Sequence, residues 1–302
     1  MFELWIPITI AAAFFQNLRS ALQKAIKGRL STTGAAYARF IYALPFAALY
    51  LWILAGPAGY PLPPISGVFL LWCLAGSIAQ ILFTVVLLWM FSFRSFAVGT
   101  TFSKLEVVLI AGLGAVLLGD TVALPAIVAI AIGAAGTVML AMTESKLTLG
   151  GLMRGLSERA TAVGLLCAAL LGASVVFFRG AALSLDGPDI IVAAAMTLAI
   201  SLVMQTAMMG AWFIAFERDQ LWTVLREWRR AMPVGIVGML GSVCWFTAFT
   251  LQNAAYVRAV GQIELIFTFI ASVFFFNEKV TRSELVGIVL IAAAILMIVL
   301  SG

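Results

Sequence analysis

The sequence predicts an all-α integral membrane protein with ten transmembrane helices, arranged as two inverted five-helix repeats. Composition sets the class: 64% of the 302 residues are hydrophobic, only 10% are charged, and the mean hydropathy is +1.13. These values exclude an ordinary soluble domain. Lipid cannot satisfy backbone hydrogen bonds, so a chain in a bilayer forms helices or a closed barrel. Continuous apolar runs of about 20 residues favour helices.

Ten apolar runs have the length of a membrane span. The sequences between them agree with this count, because Gly56–Pro57, Asp186–Gly187 and Met232–Pro233 are typical of turns. The first run has no basic residue before it and no small-residue cleavage site after it, so we expect a retained helix rather than a signal peptide. The predicted spans are residues 4–26, 34–55, 67–91, 96–118, 124–142, 161–184, 190–214, 233–251, 256–276 and 284–301.

A pattern near the end of each half indicates an internal duplication. Each copy has a carboxylate early in a long apolar run and an acid at the end of that run. A second apolar helix follows after a gap of the same length in both copies. The two acids are Glu106 and Asp120 in the first copy, and Glu264 and Glu278 in the second. Alternatively, two membrane helices align through composition alone, but the equal spacing favours duplication. We therefore expect a first repeat at 1–142, a linker at 143–160 and a second repeat at 161–302. Five helices per repeat is an odd number, so the repeats are inverted, and a binding site lies near the bilayer midplane between them.

Several kinds of chemistry are not expected. The chain has no histidine, and its three cysteines lie singly within apolar runs, so we expect no metal site, no disulfide and no cofactor. The net charge of +5 comes from basic residues between the apolar runs, which indicates membrane orientation rather than nucleic-acid binding. The expected partners are a small-molecule substrate and the lipid bilayer, with the chain as a monomer or homodimer.

Several segments resemble a known family. Span 2 contains Ala38-Arg39-Phe40, and each repeat closes with an acid, a short polar turn and a Gly/Ala-rich helix, GDTVALPAIVAIAIGAAG and NEKVTRSELVGIVLIAAA. The chain is similar in these respects to the EamA domains of the drug/metabolite transporter superfamily. The resemblance implies two five-helix repeats and a transport function. The proline often found in the fourth helix of each family repeat is missing here, and Glu106 and Glu264 lie near that position, which leaves the transported compound open.

Polar residues inside predicted spans are the candidate site. A charge at the centre of a membrane helix costs about 3 kcal/mol on insertion scales, so such residues face the protein interior or a wet cavity. Arg39, Lys104 and Arg258 lie near helix ends and could instead extend to the interface. Trp89 and Trp245 could instead pack against lipid or a neighbouring helix. The candidate substrate-binding residues are Asn17, Arg19, Arg39, Tyr42, Gln80, Trp89, Lys104, Arg179, Gln205, Trp245, Arg258 and Gln262.

Two carboxylates, Glu106 and Glu264, are the candidates for proton coupling. A carboxyl group within the membrane could bind and release a proton, as a proton-coupled carrier requires. The alternative is a structural ion pair with Lys104, with Arg258 or with the neighbouring half. Lys104 and Glu106 are two residues apart, so we expect them to point to different helix faces and not simply to neutralise each other.

These features predict a secondary active transporter in a bacterial inner membrane, moving a small metabolite by alternating access with proton coupling. The alternatives are a multidrug or cationic-compound exporter of the same fold, and a membrane enzyme or scaffold. An enzyme is not expected, since the sequence lacks a catalytic constellation. Five basic candidates against two acids inside the spans predict an anionic substrate, such as an amino acid or organic acid.

The basic loop residues predict orientation. They follow the odd-numbered spans, so the positive-inside rule places those loops in the cytoplasm and both termini outside, opposite to the usual orientation of the resembling family. These residues are Lys27, Arg29, Arg94, Lys146, Arg154, Arg159, Arg218, Arg226, Arg229, Arg230, Lys279 and Arg282.

Overall fold

The structure, a computed structural model, describes residues 3–26, 30–90, 96–144, 150–151, 159–187, 189–276 and 281–301. Within these ranges the regular structure is α-helical and contains no strand, which confirms the all-α prediction. Most of the predicted linker lies outside the described residues. So do Glu278 and six of the basic loop residues, namely Lys27, Arg29, Arg94, Lys146, Arg154 and Lys279.

The helices follow the predicted order along the chain. In the first half they are α1 (Trp5–Ile26), α2 (Thr32–Ile41), α3 (Leu44–Ala55), α4 (Gly67–Met90), α5 (Phe96–Ser103), α6 (Glu106–Leu118) and α7 (Leu124–Glu144). In the second half they are α8 (Arg159–Leu183), α9 (Ile190–Phe216), α10 (Arg218–Arg226), α11 (Trp228–Leu251), α12 (Ala254–Gly261), α13 (Ile263–Phe276) and α14 (Arg282–Ser301).

Eight helical segments among the described residues are long and apolar enough to cross a membrane. They correspond to eight of the ten predicted spans: Thr33–Ala55, Gly67–Leu87, Thr101–Leu118, Leu124–Thr143, Arg159–Leu183, Ile190–Phe216, Trp228–Leu251 and Arg282–Leu300. The other two, 4–26 and 256–276, are helical as α1 and as α12 with α13, but they are not among the eight. The count of ten and the inversion of the repeats stay predictions.

Three predicted spans contain a break in the helix, which the prediction did not anticipate. Span 34–55 breaks at Tyr42 and Ala43, between α2 and α3. Pro45 lies in the first turn of α3, where its missing N–H costs no helical hydrogen bond. Spans 96–118 and 256–276 also break, between α5 and α6 and between α12 and α13.

The region before the eighth predicted span differs from the prediction. α11 begins at Trp228, and Pro233, which we placed at the turn, lies inside its first turns. The preceding loop contains α10, a short helix absent from the prediction. Val224 of α10 is buried, whereas Trp222 and Arg226 are exposed. A helix of nine residues depends on tertiary packing for its stability, and its sequence is too short for a periodic pattern to predict it.

One compact unit comprises Glu3–Ile81 and Phe177–Leu251, so it combines residues from both halves of the sequence. In this unit α1 packs along α11. Gly241 permits the close approach, because a Cβ atom there would lie 3.2 Å from the Cβ of Phe15. α9 packs against α2, α3 and α11. The buried side chains of Phe40 and Leu202 belong to the apolar cluster among these helices.

The other compact unit comprises Leu82–Val176 and Gln252–Gly302. Its main helix pair is α7 with α14. Gly136 and Gly287 face each other there: a Cβ on Gly136 would lie 2.8 Å from the carbonyl oxygen of Gly287, and the reverse distance would be 3.0 Å. Helices of a membrane protein approach this closely only where side chains are absent or small.

The start of α14 is fixed by a capping box. The backbone N–H of Thr281 donates to Oε2 of Glu284 at 2.7 Å, and the N–H of Glu284 donates to Oγ1 of Thr281 at 3.2 Å. Each side chain thereby satisfies a backbone donor that the helix leaves unpaired. The Thr-x-x-Glu sequence in the closing segment of the second repeat is therefore a helix-start signal.

Candidate functional site

Two short helices end at equivalent places in the two halves of the sequence. α12 begins at Ala254, 158 residues after the start of α5 at Phe96. It ends at Gly261, which is also 158 residues after the end of α5 at Ser103. A turn follows each helix. The N–H of Lys104 donates to the carbonyl of Thr101 at 3.2 Å, an i to i−3 bond that tightens the chain. The same offset in helix bounds supports the predicted duplication.

Each break is followed at once by a carboxylate. Glu106 is the first residue of α6, and Glu264 lies in the first turn of α13. The N-terminus of a helix carries a partial positive charge from its unpaired N–H groups, which favours a carboxylate there by about 0.3–1 kcal/mol at exposed sites. The breaks therefore place two acids at the positive ends of two half-helices in the same compact unit.

Arg258 brings these two acids into one electrostatic cluster. Its guanidinium donates a hydrogen bond to Oε1 of Glu106 and forms a salt bridge with it, and both side chains are largely buried, at 11% and 12% exposure. Arg258 also interacts electrostatically with Glu264. We call Arg258, Glu106 and Glu264 the charge cluster.

The prediction that Lys104 and Glu106 point to different faces of one helix is wrong. α5 ends at Ser103 and α6 begins at Glu106, so Lys104 lies in the turn between them and not on a shared helix. Gln262 occupies the equivalent turn after α12 and is 8% exposed. Its side chain faces Gly133, where a Cβ atom would lie 2.9 Å from Oε1 of Gln262.

A polar cavity lies in the other compact unit, among α2, α4, α9 and α11. It is small, with a volume of about 20 Å³, which is room for about one water molecule. It brings together three candidates from three spans, Arg39, Gln80 and Gln205. Nε2 of Gln205 donates to Oε1 of Gln80 at 2.6 Å. The remaining lining residues are Phe40, Ala43, Leu198, Ser201, Leu202, Gly238, Ser242 and Phe246.

Two arginines approach each other beside this cavity. A Cβ atom on Gly238 would lie 3.3 Å from Cδ of Arg19 and 3.7 Å from Cγ of Arg39, so both side chains pass over this glycine. The two guanidinium groups repel each other electrostatically. The guanidinium carbon of Arg39 also lies 5.3 Å from the ring centroid of Phe40, within the range of a cation–π contact.

The remaining candidates in this unit are not among the residues that line the cavity. Tyr42 donates its hydroxyl proton to the carbonyl of Val224 at 2.8 Å. Arg179 donates to the carbonyl oxygen of Phe249. Trp245 is 8% exposed and donates its indole N–H to Oε1 of Gln16 at 3.1 Å. Asn17 is half-buried on α1.

Trp89 is the most exposed of the candidates, at 55%, on α4. This exposure agrees with the alternative weighed above, in which the indole packs against lipid. Its assignment as a substrate contact stays a prediction, as do the other residue assignments.

Sequence reasoning missed the small and apolar lining of the cavity. Ser201 lies four residues before Gln205 and therefore on the same helix face, which is the signal that could have identified it. Ser242 stands in the same relation to Gly238. In the second unit Tyr256 was missed, and its hydroxyl oxygen accepts a hydrogen bond from the N–H of Ala123 at 3.1 Å.

Residues 159–300 match the model of the EamA-like transporter family. The second half of the chain is thus similar to an EamA-like domain. This match confirms the resemblance stated from the closing segments. Members of the family are transporters and not enzymes. The EamA-like domain and the eight apolar helices together support a multi-pass membrane protein.

The whole chain also resembles known structures. A solved crystal structure, described simply as that of a protein, has a TM-score of 0.73 at 15% sequence identity, covering 98% of this chain and 96% of that chain. At this identity the likeness shows the fold alone. No curated protein matches the chain.

Proposed function

We propose that the chain is a proton-coupled secondary active transporter that moves a small metabolite, such as an amino acid or organic acid, across the bacterial inner membrane by alternating access. The observation that carries this proposal is the charge cluster, in which Arg258 interacts with Glu106 and Glu264 at the ends of two half-helices. Interrupted helices are where membrane transporters hold their substrates and coupling ions.

The charge balance of the cluster supplies a reason for proton coupling. One guanidinium and two carboxylates carry a net charge of −1, and a net charge is costly to move within a low-dielectric interior. Binding one proton makes the cluster neutral. In the proposed scheme one of the two carboxylates takes up this proton. Proton binding would thus permit a rearrangement that the charged cluster resists.

Alternating access requires a second conformation of the transporter, and the proposed inverted repeats account for it. In the proposed scheme the chain forms ten spans as two inverted repeats, which exchange conformations so that a central site opens alternately to each side. The equal 158-residue offset of α5 with α12 supports this scheme. The matched positions of Glu106 and Glu264 then give each repeat one carboxylate at its helix break.

The experiment is substrate accumulation in proteoliposomes. We expect a pH gradient to drive uptake of at least one compound from a panel of amino acids and organic acids. Glu264→Gln and Glu106→Gln each keep the side-chain shape but lose the titratable proton, so each should reduce gradient-driven accumulation to the background of protein-free vesicles. Exchange without a gradient should persist.

The matched control is Glu284→Gln, a carboxylate of the same type in the cap of α14 and outside the charge cluster. It should retain gradient-driven accumulation. If both charge-cluster variants accumulate substrate as well as wild type does, the carboxylates are structural and the coupling proposal fails. Transport restricted to amines and other cationic compounds would instead favour the multidrug exporter.

A further inference from the structure

The cavity among α2, α4, α9 and α11 presents several kinds of hydrogen-bond donor to a space of about one water molecule. Arg39, Gln80 and Gln205 line it, together with the hydroxyl-bearing Ser201 and Ser242. A guanidinium group only donates hydrogen bonds, and amide and hydroxyl groups can each donate as well. The lining therefore suits a very small occupant that accepts hydrogen bonds from several sides at once.

Arg39 carries the one full charge among the described residues that line the cavity. In the described part of the chain its side chain forms no hydrogen bond or ion pair; its recorded contacts are the ring of Phe40 and a repulsion from Arg19. A guanidinium group stays protonated in proteins, so it cannot become neutral to relieve its burial. A charge within membrane-spanning helices is normally balanced by an opposite charge. An anion in the adjoining cavity would supply that balance.

Ser201 gives a second indication that the cavity is occupied. The residue is 1% exposed, and its hydroxyl oxygen has no hydrogen-bond partner of standard geometry among the described residues. It interacts with the thiol of Cys73, which is a weak hydrogen-bond partner. A buried hydroxyl group without a good partner is costly. An occupant that accepts a hydrogen bond from this hydroxyl would remove the cost.

We propose that this cavity is an anion site that holds a single chloride ion, with Arg39 as its charged partner. A water molecule fits the same space and accepts from the same donors, but it is neutral and leaves the guanidinium charge unbalanced. Chloride is a monatomic ion little larger than water, whereas acetate, phosphate and sulfate are too large for the space. The inference goes beyond the proposed function and does not depend on it, because chloride binding can be measured without transport.

The test is calorimetric titration of chloride into the purified full chain in nanodiscs of zwitterionic lipid, in gluconate buffer at constant ionic strength. Empty nanodiscs give the background. We expect saturable binding of chloride, comparable binding of bromide, and no binding of acetate or sulfate. Chloride should also raise the melting temperature over the concentration range in which it binds. Two results would overturn the proposal: no saturable chloride binding, which means that the cavity holds water only, or equally tight binding of acetate or sulfate.

Substitutions locate the site within the protein. Arg39→Gln removes the charge and should weaken chloride binding at least about tenfold. Gln205→Glu places a carboxylate in the cavity lining, where it replaces the anion as the partner of Arg39. This variant should not respond to chloride, and in gluconate it should melt at a higher temperature than wild type. Arg230→Gln, at an exposed arginine of the same unit, is the matched control and should keep wild-type chloride affinity.

Ser201→Ala provides a milder readout, since it removes a single hydroxyl group from the lining. It should weaken chloride binding while leaving the melting temperature in gluconate close to that of wild type. Wild-type chloride affinity in folded Gln205→Glu or folded Ser201→Ala protein would contradict the inference, even if Arg39→Gln does not fold.

Discussion

Arg258 forms a salt bridge with Glu106, which precedes it by 152 residues and begins α6. The pair joins α12 to α6 within one compact unit, and those two helices are in direct contact. A hydrogen-bonded ion pair with both side chains largely buried is costly to break from one side, since the remaining charge loses its partner in a low-dielectric environment. Loss of either partner alone should therefore destabilise this unit, and the pair also belongs to the proposed coupling site.

Removing one partner of this pair should destabilise the protein strongly. Arg258→Gln leaves the Glu106 carboxylate without its guanidinium, and breaking a buried pair in this way typically costs about 3–5 kcal/mol. Thermal unfolding in detergent should show a large drop in melting temperature. The double variant Arg258→Gln/Glu106→Gln should recover much of the loss, because it removes the Glu106 carboxylate with its partner and leaves Glu264 as the one charge of the charge cluster.

The matched control for that prediction is the exposed pair of Arg230 and Glu227, at 2.8 Å and with side-chain exposures of 55% and 27%. Arg230→Gln should change stability by less than about 1 kcal/mol. If Arg258→Gln were as mild as Arg230→Gln, or if the double variant were no more stable than Arg258→Gln alone, the buried pair would not have the role assigned to it.

The contact of α7 with α14 should tolerate no added side chain. Gly136→Ala places a methyl group 2.8 Å from the Gly287 carbonyl oxygen, so the helices must separate, and the melting temperature should fall. Gly112→Ala is the control, since no heavy atom lies within 4 Å of the added Cβ. Because alanine is the better helix former, Gly112→Ala should be neutral or slightly stabilising. Equal melting temperatures for the two variants would count against this packing.

The capping box at the start of α14 gives a smaller expected effect. Thr281→Ala removes the hydroxyl that accepts from the N–H of Glu284, a change that costs about 1 kcal/mol at helix caps. Ser283→Ala, two residues later and exposed, should have almost no effect. Urea titration of the two variants under the same conditions provides the comparison. A Thr281→Ala variant no less stable than Ser283→Ala would show that the cap is dispensable.

Membrane orientation is the prediction that depends least on side-chain geometry. The basic loop residues follow odd-numbered spans, so both termini should lie outside the cytoplasm. A reporter active only in the cytoplasm, fused after Gly302, should be inactive, whereas the same reporter placed after Arg218 should be active. The reverse result would mean a miscounted span or an orientation determined by something other than loop charge.

The class and the order of helices were predictable from sequence, because bilayer thickness sets the length of an apolar span and the apolar runs are unambiguous. The helix breaks after Ser103 and Gly261 were not predictable from the sequence in the same way. Neither turn contains a proline, the residue that usually reveals an interrupted helix. The signal present was indirect: a carboxylate inside an apolar run, at Glu106 and again at Glu264, is better accommodated at a helix N-terminus than in a helix centre.

The polar members of the cavity were predictable individually, and their grouping was only partly so. Arg39, Gln80 and Gln205 are conspicuous as polar residues in apolar helices, and tertiary packing brings them together. Ser201 and Ser242 are not conspicuous in this way, because serine is common in closely packed membrane helices, and only their four-residue spacing from Gln205 and Gly238 marks them. The apolar lining residues could not be recognised either, since Phe246 and Leu198 are surrounded in sequence by similar residues.

The most direct test of proton coupling is to measure the protons themselves. Proteoliposomes containing a pH-sensitive dye are exposed to an inward gradient of a transported compound, with protein-free vesicles as the baseline for passive permeation. We predict a luminal pH change with wild type and none with Glu106→Gln/Glu264→Gln, although that double variant still exchanges labelled compound. A luminal pH change of the same size in the double variant would contradict the account, since protons would then move with substrate without either carboxylate.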